Sequence, residues 1–84
     1  MNTSPFKVGD TVRLTGIPPQ VQGDRGRFPD TFTLFERAVG GRFRVRGFDE
    51  YGHAELWLSD DGSEDTRGVS NSIWVEPQFL AQCV

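Results

Sequence analysis

The sequence predicts a small all-β domain, a strongly bent barrel of five or six antiparallel strands with one 3₁₀ turn near its C-terminus. Three observations lead there. Ten Gly and five Pro cut the 84 residues into short segments, and no apolar window approaches the length of about twelve residues that a buried helix needs. Apolar and polar residues alternate with a period of two, above all between Arg42 and Asp60, which marks half-buried strands. Seven Phe, two Trp and one Tyr supply a core without disulfide or metal, although so short a chain buries only roughly 60–65% of its unfolded surface.

The first strand is read over Phe6–Leu14, with Val8, Val12 and Leu14 inward around a Gly9-Asp10 turn and Thr11 and Arg13 facing solvent. Gly16 and Pro18-Pro19 end it, because prolines supply no ladder donors. Ile17–Pro29 is rich in Gly, Pro, Gln, Asp and Arg and is assigned as a surface loop. Thr31–Leu34 reads as either a short strand or a turn of helix leading into Phe35–Val39, and Gly40-Gly41 stops whatever precedes it.

Arg42–Asp60 reads as one hairpin turning at Asp49–Gly52. Phe48 then pairs with His53, Val45 with Leu56 and Phe43 with Leu58 on the inner face. On the outer face Arg46 stands opposite Glu55 as an ion pair, and Arg44 opposite Trp57 as a cation–π contact. A slip of one residue would set Arg against Leu, so two faces agree on one register. Asp60–Gly68 is polar and acidic and is assigned as an exposed, projecting loop; Ser72–Val75 forms a further strand. Pro77 ends that strand, Gln78–Leu80 makes a 3₁₀ turn, and Cys83-Val84 adds a last short strand. Neither an internal repeat nor a domain boundary is visible, so residues 1–84 are read as one domain.

Two stretches carry a family likeness: Phe6-Lys7-Val8-Gly9-Asp10-Thr11-Val12-Arg13-Leu14 and Ile73-Trp74-Val75-Glu76-Pro77-Gln78-Phe79-Leu80-Ala81-Gln82-Cys83-Val84. The first resembles the opening strand of bacterial SH3-like and KOW-like domains, including the small barrel of nitrile hydratase β subunits. The second is similar to the strand, 3₁₀ turn and final strand that close SH3-like barrels. The resemblance implies a five-stranded barrel with Ile17–Pro29 as its long first loop, and a role as an adaptor or interaction part. The Ala-Leu-Tyr-Asp-Tyr element of polyproline-binding SH3 domains is absent, and a long loop replaces the quick Gly-containing return of KOW domains.

The net charge of −3 argues against a general nucleic-acid or anionic-membrane binder. A lone Cys83 allows neither an intramolecular disulfide nor a Cys-based zinc site, and suggests a reducing compartment. With no signal peptide and no apolar run long enough to span a bilayer, a cytoplasmic protein without membrane contact is expected.

Catalytic agents are scarce. His53, beside Asp49 and Glu50, is the only ordinary base near neutral pH, and its place next to a turn reads as a surface residue. Cys83 reads as a small packing residue. Asp60, Asp61, Glu64 and Asp65 do not follow EF-hand spacing and read as a solvated loop. No nucleophile, base and orienter can be assembled, so no enzyme activity and no cofactor are expected.

The aromatic residues outnumber the places inside so small a barrel. Trp57 is predicted outward by parity, and Trp74 lies on the opposite face from Ile73 and Val75. An exposed aromatic rimmed by Arg and Glu suits a protein-binding hot spot. The leading expectation is a non-catalytic module that binds a protein or peptide through Trp57, Tyr51, Arg44 and the Ile17–Pro29 loop. The alternatives are a nucleic-acid contact through Arg42, Arg44 and Arg46, or an accessory subunit of a larger enzyme. A monomer or weak homodimer is expected.

Overall fold

The computed structural model describes residues 5–19, 21 and 29–83. Six short strands form two three-stranded antiparallel sheets: β1 (Thr11–Leu14), β2 (Arg42–Arg44), β3 (Gly47–Phe48), β4 (Ala54–Leu58), β5 (Asn71–Val75) and β6 (Leu80–Gln82). The first sheet runs β2-β1-β6 and the second β3-β4-β5. The architecture is predominantly β, but it also contains helix α1 (Pro29–Ala38) and a 3₁₀ turn (Pro77–Phe79).

The helix corrects the strict all-β expectation. Pro29 opens it, since a first turn has no need of that N–H, and Asp30 and Arg37 sit at the ends where a helix dipole favours their charges. Among its described side chains only Phe35 and Ala38 are fully buried, with Leu34 packed alongside. A helix lying over the rim of a core needs no longer apolar window than that. It stops at Gly40, whose φ of +88° suits glycine, and Gly40 N–H then donates to Leu14 O at 2.8 Å. Most of the expected Ile17–Pro29 loop lies outside the described residues, but Ile17 and Val21 pack against the core and Pro29 belongs to the helix.

The expected Arg42–Asp60 hairpin is two structures joined by a bend. Arg42–Arg44 pairs with β1, Phe43 opposite Val12, whereas Gly47–Phe48 pairs with β4. The change occurs within one step: Val45 N–H donates to Asp10 O at 2.8 Å in the first sheet, and Arg46 N–H to Glu55 O at 2.9 Å in the second. Strands that switch sheets at such a bend make the corners of orthogonally packed sheets. Beyond it the register is Gly47–Glu55 and Phe48–Ala54, so the expected Phe48–His53 pairing is off by one and the Arg44–Trp57 and Arg46–Glu55 pairings do not form. The inward set is nonetheless as expected: Phe43, Val45, Leu56 and Leu58 are all buried.

The core joins both sheets to the helix through Phe6, Val12, Leu14, Phe35, Phe43, Val45, Leu56, Leu58, Ile73, Val75 and Leu80. Val8 is exposed instead of inward, because it stands in a turn closed by Asp10 N–H to Lys7 O, with Gly9 at a φ of +96°. The 3₁₀ turn starts at Pro77, one residue earlier than expected. The last strand accordingly begins at Leu80 instead of Cys83, and Val84 lies outside the described residues. Among the described residues no helix is long and apolar enough to cross a membrane.

Candidate functional site

The two sheets close on one core, so each keeps an outer face, and the predicted binding residues divide between the two. On the second sheet the outward positions of β4 and β5 are Glu55, Trp57, Ser72 and Trp74, with Glu55 opposite Trp74 and Trp57 opposite Ser72. Trp74 is 45% exposed.

Trp57 is outward by parity but half-buried, against the expectation of an open aromatic, because two neighbours cover it. The Arg46 guanidinium carbon lies 4.4 Å from its ring centroid, a cation–π contact. Gly68, at a φ of +67°, comes so close that a Cβ there would stand 2.8 Å from the ring. The indole Nε1–H donates to Glu55 Oε2 at 3.1 Å. The cation–π partner is thus Arg46 and not Arg44, and the ion-pair partner of Arg46 is Glu64 at 3.5 Å instead of Glu55. Arg46 is largely covered, so it does not share a wet face with Arg42 and Arg44.

Tyr51 occupies the tip of the β3–β4 hairpin and is 68% exposed, its ring centroid 6.2 Å from that of His53. Asp49 organises this tip: its carboxylate accepts the N–H groups of Tyr51 at 2.9 Å and His53 at 2.8 Å, and meets His53 Nδ1 at 2.8 Å. Partial burial works against its ionisation, yet the His53 and Tyr51 hydrogen bonds outweigh that and hold its carboxyl below the ordinary range. The imidazole therefore serves as part of a turn cap.

On the first sheet Arg42 stands opposite Arg13, and Arg44 opposite Thr11. All are exposed, and among the described residues no carboxylate forms an ion pair with Arg13, Arg42 or Arg44. Arg13 was not singled out by the sequence reading. Its signal was present, since it is outward in β1, but its cross-strand neighbour was unknown. Arg13 and Arg42 line a shallow depression of about 230 Å³ together with Ala81, Gln82 and Cys83.

The acidic segment does not project as a free loop. Ser59 N–H donates to Ser63 O at 2.8 Å and Leu58 bridges to Glu64, extending β4 into a tight hairpin whose Gly62 lies against Arg37 of the helix. Each carboxylate turns to a donor of its own. Asp60 takes Asn71 Nδ2, Asp61 takes Ser63, and Glu64 takes the Arg44 N–H and Arg46. Asp65, which is buried, takes the N–H groups of Arg67, Val69 and Ser70. They do not converge, and among the described residues no group of three metal-ligating side chains does. A second depression of about 370 Å³, lined by Asp30, Thr33, Leu34, Arg37, Asp60 and Asn71, lies where this hairpin meets the helix.

Comparison of the chain with family models, curated proteins and solved structures finds no match.

Proposed function

We propose that this protein is a non-catalytic module that binds a protein or peptide partner through the outer face of its second sheet. The observation that carries this reading is Trp74, 45% exposed on a strand that, among the described residues, pairs on one side only, with β4. Beside it on the same face lie Trp57, braced by Arg46, and Glu55. A half-open indole next to a rigid, charge-rimmed aromatic is the composition of an interaction hot spot. Tyr51 and His53 extend the surface toward the hairpin tip. The fold around it is read as an SH3-like barrel. A strand bent between two sheets at Val45-Arg46 and a 3₁₀ turn between the last two strands support that reading.

A selection of random peptides displayed against the intact chain tests the assignment. Enriched peptides should change the tryptophan emission, and Trp74→Ala should weaken their binding by about 2 kcal/mol, roughly thirtyfold, without lowering the melting temperature. The assignment fails if no sequence is enriched, or if binding survives Trp74→Ala but is lost on Arg42→Gln.

A further inference from the structure

We propose that the Arg13–Arg42 depression on the outer face of the first sheet is a phosphate site, which holds the phosphoryl group of a small ligand. Directly opposed like charges on an antiparallel pair oppose folding, and this pair sits on a chain of net charge −3 with no ion-paired acid among the described residues. Arg44 follows two positions along the same strand face and adds a third cation. Glu64 accepts its backbone N–H at 2.6 Å, but directs its ion pair to Arg46. Asp10, which meets Gln82 Nε2 of the lining at 3.4 Å, accepts Lys7 N–H at 2.9 Å and forms no ion pair with these arginines.

The chemistry of the ligand follows from donor number and size. Two guanidinium forks on facing strands offer more N–H groups than the two oxygens of one carboxylate can accept, whereas a phosphoryl group has three strong acceptor oxygens and up to two charges. The depression, about 230 Å³, is below the range of about 300–1,000 Å³ that encloses a whole drug-sized ligand. Thr11 and the other lining residues, Ala81, Gln82 and Cys83, supply no ring to stack on a base. A compact phosphate fits these limits better than a nucleic-acid strand.

The test titrates the intact chain with pyrophosphate, and with chloride at matched ionic strength, following side-chain N–H resonances and thermal melting. Saturable shifts at Arg13, Arg42 and Gln82, together with a rise in melting temperature beyond that in chloride, are expected. Arg13→Gln and Arg42→Gln should each weaken binding roughly tenfold while circular dichroism is unchanged, and Arg42→Lys, which keeps charge but loses the fork, should fall between. Trp74→Ala should leave the titration unchanged, which separates this site from the partner surface. Equal responses to pyrophosphate and chloride, or indifference to both Arg→Gln variants, overturn the proposal. So does an oligothymidylate that binds these residues more than tenfold tighter per phosphate, or a polyglutamate that competes as well as pyrophosphate.

Discussion

Asp65 is the described buried carboxylate, and it is occupied by backbone. Hydrogen bonds from Arg67 and Ser70, with those from Val69 and Gly68, outweigh the opposing effect of burial and hold its carboxyl at about 2. The unfolded value is about 3.9, so between these values the unfolded chain binds the extra proton and stability rises with pH. The contribution is complete above about pH 4 and is lost as pH falls through about 2. Asp65→Asn should lower the urea midpoint at pH 7, and the gap to the parent should close as pH approaches 2. A gap that persists there would mean the carboxylate charge is not its source. This residue was legible only as one acid among several, because sequence shows the four carboxylates but not which backbone N–H groups curl around one of them.

Among elements, the hairpin at Ser59–Ser63 and helix α1 brace each other, through Arg37 Nη1 to Asp60 O at 3.1 Å and through the bare backbone of Gly62. Gly62 and Gly40 have nearly equal positive φ, +89° and +88°, but a Cβ on Gly62 would stand 2.6 Å from Arg37 Cβ, whereas one on Gly40 meets nothing within 4 Å. Gly40→Ala should therefore cost the backbone strain alone, about 1 kcal/mol. Gly62→Ala adds a clash with helix backbone and should cost about 2–4 kcal/mol. Chemical denaturation of both variants checks this, and equal losses would show that the hairpin does not bear on the helix. The sequence leaves Thr31–Leu34 open between a strand and a turn of helix, because the helix's fully buried residues among those described, Phe35 and Ala38, make no long apolar face. Alternation did identify the inward residues Phe43, Val45, Leu56 and Leu58, since it depends only on which side of a strand is dry. It could not identify partners: Arg42–Phe48 alternates in the same way whether it follows one neighbour or changes neighbour at Val45.

At the scale of the whole molecule that single change of partner decides the surface. Had Arg42–Asp60 been one hairpin, Arg44 and Trp57 would share a face. The bend instead sends Arg42 and Arg44 to a basic face and leaves Arg46 against Trp57 on an aromatic one. Both faces are the outsides of sheets that pack on a common core, and among the described residues Phe43 is the largest side chain fully buried in it. Phe43 belongs to the first sheet by pairing, yet its strand runs on into the second. Removing its ring should cost about 3–5 kcal/mol from a total of about 4–13 kcal/mol for a chain of this length. Phe43→Ala should therefore bring the chain close to unfolding, and it should weaken both sheets together. Tryptophan emission reports the second sheet through Trp57 and Trp74, and amide exchange at Val12 and Leu14 reports the first. In a milder variant, Phe43→Leu, the two probes should lose stability by the same amount. A drop confined to Val12 and Leu14 would mean that the sheets are separable units, in which case the basic and aromatic faces would not be held in a fixed relation by the core.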